Sequence, residues 1–491
     1  MQAIAGTYGR PDKSLVRKML ARIRHRGPDR MGFFEDDQIA LGAGVADSRI
    51  GAKTKAIAVD DGVAVVSDSY LFNRGFIQQT LFGRIDRRMS DAEFVLRAYR
   101  ILGTQLFESI DGAFVIVIVD NGDLVLARDR YGLKPLYLSG GTRDGAFSSE
   151  MKSQILVEDE FVPFPPGSFF VKDKGFFPIQ ADRSWRTQSQ AGADDVSLLR
   201  NLVFRTVKEC IDQSQGVSVL LSGGIDSSAI AAAASEAVSE VRTACVGMEG
   251  SFDLEMARIV SSHLGTDHLE RTYEADEMLN ILDEVIYAAE SFDFPLIRSC
   301  IPNYMAARLL GDKYRITLCG EGADEIFAGY DYMREIERDE ELRAERMRLL
   351  KTCHLTGFQR VDRMTAASSL DGRMPLMSCE IIDFGLALDK SALVENRIEM
   401  SKIMFRKTFE GILPAEITWR RKKKFSDGAG SIHALREVAE EIISDKEFET
   451  ERIAAPSGRI RTKEELLYFR FFKHHFDSSS ALTSVGITDR P

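Results

Sequence analysis

One stretch near the middle of the chain constrains the fold more than any other: VSVLLSGGIDSSAIAAAA, residues 217–234. Its first five residues predict a buried strand, residues 222–224 a tight turn, and the alanine-rich run a helix. Main-chain N–H groups, hydroxyls and the helix N-terminus then converge on one point, which suits a phosphate or a pyrophosphate. The two glycines allow the backbone to approach such an anion closely.

This stretch matches neither GxxxxGK[ST] nor GxGxxG, and an ordinary strand-to-helix turn is the alternative from these residues alone. Asp226 argues against that alternative. A carboxylate beside a phosphate is repelled by it unless a cation lies between them, so the sequence implies Mg²⁺ at this turn.

Length and charge narrow the class of protein. A chain of 491 residues predicts two domains. The formal net charge of -11 argues against nucleic-acid binding through the overall field of the protein. The apolar runs are strand-length and predict no membrane span, and the N-terminus shows no leader peptide. We therefore expect a cytoplasmic protein without a nucleic-acid or membrane partner.

All six cysteines lie after residue 200 and form no CxxC pair, which argues against structural zinc and against a disulfide framework.

The pattern of apolar residues changes along the chain. Residues 1–180 contain short β-type runs and one helical stretch, with Asp91 as its expected N-cap, which predicts a layered α+β domain rich in antiparallel strands. Residues 181–197 are polar and predict a linker. Residues 198–476 alternate strands and helices, which predicts a parallel sheet of α/β type followed by a helical C-terminal region from about residue 331. Residues 477–491 are expected to form a flexible tail.

SGGIDSS resembles the PP-loop of the ATP pyrophosphatases, which split ATP between the α and β phosphates. Further segments resemble asparagine synthetase B in the same order, namely CVGMEGSFDLEMARIVSSHLGTDHLE, LCGEGADEIFAGYDY, ITWRRKKKFSDGAGS and RTKEELLYFR. The similarity covers residues 200–476. It implies ATP and Mg²⁺ as cofactors, with pyrophosphate contacts at Ser222, Gly223, Gly224, Asp226, Ser227 and Ser228, and nucleotide contacts at Leu221, Val246, Cys319 and Gly320.

The turn GEGADE, residues 320–325, follows an apolar strand, so its carboxylates are expected at the carboxyl end of the sheet, where open α/β sheets bind ligands. A solvated acidic turn is the alternative. The resemblance implies that Asp226 and Asp324 hold Mg²⁺ and that Glu321 assists the attack of the amine. Within WRRKKKFSDG the resemblance favours Lys422 as the catalytic lysine, the alternative being a solvated basic face.

The N-terminal segments HRGPD and ARDRYGLKPLY resemble the class II glutamine amidotransferase domain, an N-terminal-nucleophile hydrolase with αββα layers. That domain normally begins Met-Cys-Gly, and its cysteine thiol attacks glutamine. Here Gln2 replaces the cysteine. SDSYLFN, residues 67–73, replaces Asn-Gly-Glu-Ile-Tyr-Asn, and only Asn73 is retained. Arg49 is the candidate for the arginine of the glutamine pocket. We therefore predict that glutamine hydrolysis is lost.

Without a glutaminase, the nitrogen must come from ammonia or from an amine. β-Lactam and carbapenam synthetases also lack the cysteine and close a ring in specialised biosynthesis, but they replace GEGADE with a tyrosine-containing turn. The retained GEGADE favours ligation between two molecules. Two segments lack polar residues that the family carries: RSCIPNY, which begins at Arg298, and DGRMPLMS around Arg373, in which Ser378 replaces an acid. Aspartate is therefore not expected as the acyl substrate.

The sequence thus predicts an ATP-dependent, AMP-forming carbon-nitrogen ligase for a small carboxylate, with ammonia or an amine as acceptor. Lactam formation and a non-catalytic regulatory role are the two alternatives. The resemblance implies a homodimer.

Overall fold

The structure of the chain is a computed structural model. The structure describes residues 1–47, 55–157, 160–180, 195–211, 216–311, 313–420, 432–453 and 460–488, with residues 432–434 described as backbone alone. The chain divides into two compact units. The N-terminal unit comprises Met1–Gln188, Ser369–Asp371 and Ser478–Ser484, and the C-terminal unit comprises Ser189–Ser368, Gly372–Asp477 and Val485–Pro491.

The N-terminal unit contains two six-stranded sheets, and the strand pairings described within them are antiparallel. In spatial order, the strands of the first sheet are Phe161–Pro163, Tyr137–Gly140, Gly145–Ser148, Gln2–Tyr8, Ile39–Val45 and Arg30–Glu35. Those of the second sheet are Gly175–Pro178, Ser168–Val171, Asp123–Arg128, Gly112–Asp120, Val63–Leu71 and Ala58–Asp60.

Side chains alternate between the two faces of each strand, and the buried ones form three apolar layers. Ile4 and Tyr8 of the first sheet pack with Val117 of the second sheet in a core between the two sheets. Ala3 and Ala5 point the other way, because successive side chains of a strand face opposite sides. They pack on the helix Lys13–Arg22, and the outer face of the second sheet packs on the helix Asp91–Leu102. The predicted αββα layering is confirmed.

Capping residues set where these outer helices begin. Asp12 accepts the N–H of Leu15 at the start of Lys13–Arg22. Ser90 and Glu93 form a capping box at the start of Asp91–Leu102, so Ser90 is the N-cap of that helix. The unit's other helices are Arg74–Phe82, Leu106–Ser109, Met151–Gln154 and Ser479–Ser484.

The C-terminal unit is built on a five-stranded sheet, in the order Asp267–Thr272, Val241–Gly247, Val217–Leu220, Ile316–Leu318 and Asp371–Arg373. The first four strands are parallel. Because parallel strands need crossover connections, helices separate them in sequence. The predicted α/β fold with a parallel sheet is therefore confirmed.

Helices make up most of the rest of this unit. Those that precede residue 320 are Asp195–Cys210, Ile225–Ala237, Phe252–Leu264, Ala275–Asn280, Leu282–Ala289 and Phe294–Leu310. Those that follow are Ala323–Ile326, Asp339–Thr352, Gly357–Ala366, Cys379–Ala387, Lys390–Leu393, Ile403–Thr408, Ala415–Thr418, Ile432–Ile442, Asp445–Glu451 and Lys463–His475. All six cysteines lie in this unit, and each is a buried free thiol.

Two ordered segments depart from the expected linker and tail. The helix Asp195–Cys210 begins within the predicted linker 181–197, of which residues 181–194 lie outside the described residues. Residues 479–484 are helical rather than a flexible tail, because Ala481 is buried and Ser480 accepts the N–H of Phe161 at 3.1 Å. Among the described residues, none of the helices is long and apolar enough to cross a bilayer.

Candidate active site

The glycine loop, residues 221–224, joins the strand Val217–Leu220 to the helix Ile225–Ala237. Gly223 has a φ of +63°, and a Cβ there would overlap Met256, so only glycine fits the turn. The hydroxyl of Ser227 accepts the N–H of Ser222 at 3.2 Å and fixes the loop over the first helical turn. The hydroxyl of Ser228 is buried and has no hydrogen-bond partner among the described residues.

The acidic turn GEGADE, residues 320–325, lies directly against the start of that helix. A Cβ on Gly320 would lie 2.7 Å from the carbonyl carbon of Asp226 and 2.8 Å from the nitrogen of Ser227. Strands Val217–Leu220 and Ile316–Leu318 are parallel neighbours, so the turns at their carboxyl ends meet. The predicted approach of the two turns is thereby present in the structure.

Lys402 joins the two predicted metal ligands. Its Nζ lies 2.5 Å from Oδ2 of Asp226 and 2.6 Å from Oδ1 of Asp324. The side chain of Lys402 is 1% exposed. The two carboxylates, which are far apart in sequence, therefore converge on one cation.

The backbone and a glycine hold Lys402 in place. Lys402 has a φ of +61°, an uncommon conformation for a residue with a side chain, and it precedes the helix Ile403–Thr408. A Cβ on Gly329 would overlap both the Asp324 carboxylate and the Lys402 side chain. Burial alone would lower the pKa of Lys402, but Asp226 and Asp324 outweigh it, and the net pKa lies above its usual value. The ammonium form is therefore favoured.

Arg420 is a second cation that the sequence-based prediction missed. Its guanidinium is 3.6 Å from Asp253 and lies over the ring of Phe252 at 5.0 Å. A Cβ on Gly224 would lie 3.7 Å from its Nη2, so the guanidinium reaches the glycine loop. Its Nη1 is buried and has no hydrogen-bond partner among the described residues. The arginine begins the predicted basic run, whose remaining charges, Lys422 included, lie outside the described residues.

Glu321, the predicted catalytic carboxylate, forms an ion pair with Arg360 of the helix Gly357–Ala366. About a quarter of the Glu321 side chain is exposed. The pKa of Arg360 is lowered by burial and raised by Glu321, and the net pKa lies above its usual value. Arg360 was not identified from the sequence, since the two residues are 39 positions apart.

The predicted nucleotide contacts Leu221, Val246 and Cys319 are all buried near the ends of adjacent strands. The N–H of Leu221 is bound to the carbonyl of Ala244 at 2.9 Å, and that of Cys319 to the carbonyl of Arg373 at 2.9 Å. Burial raises the pKa of the Cys319 thiol well above its usual value, so the thiol stays protonated.

Residues near the expected carboxylate pocket have partners within the protein. Arg298 binds Glu464, with Nε 2.7 Å from Oε1. Arg373 donates from Nη1 to the carbonyl of Cys210 at 2.8 Å. Ser378 caps the helix Cys379–Ala387. Each of these three side chains therefore stabilises the C-terminal unit through a contact within the protein.

In the N-terminal unit, Gln2 is 6% exposed and its main-chain N–H donates to Oδ1 of Asp68 at 3.0 Å. The Asp68 carboxylate is buried and also lies 3.4 Å from Nζ of Lys134 and 3.4 Å from Nη2 of Arg26. The main-chain nitrogen of the residue that would carry the nucleophile is therefore bound to a buried, paired carboxylate.

Asn73, the retained asparagine of SDSYLFN, donates to the carbonyl of Ser109 at 2.8 Å and accepts the N–H of Asp111. Both bonds join main-chain segments, so Asn73 has a structural role. Arg49, the other candidate for the glutamine pocket, lies outside the described residues.

Family models match nearly the whole chain. The model for asparagine synthase matches residues 198–348 and 334–485, and the model for the glutamine amidotransferase domain matches residues 1–162. The chain belongs to the asparagine synthase family. Members of this family are ATP-dependent ligases that form amide bonds and use Mg²⁺, and the chain is such a ligase.

Curated members of the asparagine synthase family align over most of their length. Asparagine synthetase [glutamine-hydrolyzing] 2 of Arabidopsis thaliana is 30% identical, covering 96% of this chain and 86% of the relative. Asparagine synthetase B [glutamine-hydrolyzing] of Escherichia coli (strain K12) is 29% identical, covering 94% and 88%. A probable asparagine synthetase of Schizosaccharomyces pombe is 31% identical, covering 94% and 90%.

Among solved structures, a glutamine phosphoribosylpyrophosphate amidotransferase from B. subtilis matches with a TM-score of 0.32 at 16% identity, covering 50% of this chain and 67% of that one. This likeness is too weak to bear on function.

Proposed function

We propose that the chain adenylates a small carboxylate with ATP and transfers the acyl group to ammonia or an amine, giving an amide, AMP and pyrophosphate. One observation carries the proposal: Asp226 and Asp324 meet at a single cation beside the glycine loop. The site lies at the carboxyl ends of parallel strands, where open α/β sheets bind ligands. This arrangement suits a nucleotide with a divalent metal.

The residues present fit both groups. Ser228 Oγ and Arg420 Nη1 are buried polar atoms without hydrogen-bond partners among the described residues, and both can donate to phosphate oxygens. Asp226 and Asp324 would hold Mg²⁺, which commonly takes one or two protein carboxylates. Bound Mg²⁺ would neutralise charge that develops on the phosphates.

Each remaining residue has a separate task. The glycine loop and Arg420 bind the leaving pyrophosphate, because main-chain N–H groups and a guanidinium both stabilise its charge. Arg360 orients Glu321, and Glu321 accepts a proton from the attacking amine. Lys422, which lies outside the described residues, is proposed to stabilise negative charge on the transferred group.

The nitrogen source is proposed to be ammonia or an amine rather than glutamine, although the relatives above are named as glutamine-hydrolysing. Gln2 supports this proposal, because an amide side chain cannot act as the nucleophile that attacks glutamine. The internal partners of Arg298, Arg373 and Ser378 support an acyl substrate other than aspartate.

The test is a pyrophosphate-release assay across amino acids and dicarboxylates, with ammonium, glutamine or no added amine. We expect turnover with ammonium or an amine, and none that depends on glutamine. Glutamine that works as well as ammonium would contradict the proposed loss of the glutaminase. No pyrophosphate from any carboxylate would favour a regulatory role instead.

Intramolecular lactam formation is the second candidate, because a chain without a glutaminase can also take its amine from the acyl substrate itself. Mass spectrometry separates the two reactions. Cyclisation gives a product lighter than the substrate by one water and needs no added amine.

A further inference from the structure

The ammonium group of Lys402 occupies the point on which the proposed metal ligands converge. Its Nζ is within 2.6 Å of both Asp226 and Asp324, and an ammonium and a divalent cation are attracted by the same oxygens. We propose that Lys402 excludes a free divalent cation from this pair, so that the metal binds only together with the phosphates of a nucleotide. The inference rests on the metal assignment in the proposed function.

The charges around Asp226 and Asp324 also favour binding of the metal together with a nucleotide. Three carboxylates and three cations interact at the site, namely Asp226, Asp253, Asp324, Lys402, Arg406 and Arg420. Asp253, Lys402 and Arg406 are buried, and the other three side chains are partly exposed. The charges of these six groups cancel without any ligand. A divalent cation entering alone would add two positive charges to this largely buried group, which is unfavourable. The negative phosphates of a nucleotide would compensate them.

The small number of protein ligands also indicates that the metal binds together with a nucleotide. No group of three or more metal-binding side chains occurs in the part of the chain that the structure describes. Two carboxylates alone leave most of the coordination positions of Mg²⁺ to water and phosphate oxygens. A metal that arrives with a nucleotide brings those oxygens with it.

Lys402 is also poorly able to leave the pair. Its side chain is 1% exposed, its backbone is left-handed, and Gly329 packs directly beside it. A backbone conformation of this kind is kept only where the surrounding structure enforces it. The surrounding structure therefore holds the competing ammonium beside the pair, unlike a surface lysine that moves freely into water.

The experiment measures Mn²⁺ binding to the full chain by electron paramagnetic resonance, without nucleotide and with α,β-methylene-ATP. The unmodified protein is expected to bind Mn²⁺ tightly only with the nucleotide. Lys402→Met is expected to bind Mn²⁺ alone at least about tenfold more tightly than the unmodified protein, because the competing charge is gone. Circular dichroism checks that the variant is folded.

Lys463→Met is the matched control, because Lys463 also bridges two carboxylates, Glu440 at 3.2 Å and Asp445 at 2.8 Å, away from this site. It should bind Mn²⁺ as the unmodified protein does. Equal affinity of the unmodified protein for Mn²⁺ with and without nucleotide would overturn the inference, and this comparison needs no variant. Nucleotide-dependent Mn²⁺ binding that survives Asp226→Asn would instead contradict the metal assignment.

Discussion

The guanidinium of Arg360 binds the carboxylate of Glu321, so the residue proposed to receive the proton of the amine is oriented by a neighbouring helix. The pair is only partly exposed, which favours a fixed geometry over an exchanging surface contact. The proposed function places Glu321 in the second half of the reaction, after the phosphate chemistry at the glycine loop.

Glu321→Gln separates the two half-reactions. The amide keeps the size of the side chain but cannot accept a proton, so we expect amide formation to fall about 10²- to 10⁴-fold. Carboxylate-dependent exchange between pyrophosphate and ATP should continue. Glu341→Gln is the control, because Glu341 pairs with Arg338 on an exposed helix. Equal loss of exchange and amide formation would show that Glu321 does not act selectively on the amine.

Arg360→Met removes the partner of Glu321 and leaves a partly buried carboxylate unpaired. We expect the free energy of unfolding to fall by about 1 to 3 kcal/mol and amide formation to fall with it. Arg360→Lys restores the charge without the planar guanidinium and should recover part of the rate. Urea unfolding and product assays test both variants, and an Arg360→Met enzyme with unchanged amide formation would argue against orientation of Glu321.

Gly329→Ala places a methyl group into the Asp324 carboxylate and the Lys402 side chain. We expect a loss of about 1 to 3 kcal/mol of stability and a strong loss of pyrophosphate release. Gly357→Ala is the control, since nothing lies within 4 Å of a Cβ at that helix start. Thermal unfolding and the pyrophosphate assay should distinguish the two, and equal behaviour would contradict the close packing at Gly329.

His268 makes the stability of the C-terminal unit depend on pH. Burial lowers the pKa of His268 below its usual value. The unfolded chain therefore takes up a proton at a higher pH than the folded chain. The stabilising effect is complete above the unfolded pKa, near about 6.5, and is lost as the pH falls toward the folded value.

We therefore expect the unmodified protein to lose more free energy of unfolding than His268→Gln between about pH 7.5 and 5.5. Urea unfolding at several pH values measures the difference. The exposed His474→Gln should follow the unmodified protein. Identical pH slopes for the unmodified protein and His268→Gln would rule out this contribution.

Gln2→Cys is expected not to restore glutamine hydrolysis. The variant gains a thiol, but residues 67–73 read SDSYLFN where the amidotransferase domain carries Asn-Gly-Glu-Ile-Tyr-Asn, so the glutamine pocket would still be incomplete. Glutamate release from glutamine tests this variant against the unmodified protein. Release by the variant that alkylation of the introduced thiol abolishes would show that the rest of the glutaminase site is intact.

Local patterns predicted the elements that depend on neighbouring residues. The strand, turn and helix around the glycine loop follow from residues 217–234, and the approach of Asp324 follows from the rule that parallel strands end at one edge. The cap of the helix Asp91–Leu102 differs by one residue from the expected Asp91, because the capping box of Ser90 and Glu93 decides where the helix starts.

Lys402, Arg360 and Arg420 could not be assigned in the same way. Lys402 lies among other charged residues in NRIEMSKIMFRK, residues 396–407, and no local pattern distinguishes it. Its partner Asp226 lies 176 residues away, so only the folded chain brings them together. Arg360 and Glu321 are likewise separated in sequence, and only the fold brings them into contact. The internal partner of Arg298 likewise depends on a helix 166 residues further along.

The burial of the six cysteines has a practical consequence. All of them lie in the C-terminal unit, and burial raises the pKa of several, including Cys245, Cys300 and Cys353. A thiol reagent reacts with the thiolate of an exposed cysteine, so the folded unit should be inert to alkylation. The N-terminal unit has no cysteine. Alkylation followed by mass spectrometry would thus report the unfolding of the C-terminal unit and would not respond to unfolding of the N-terminal unit.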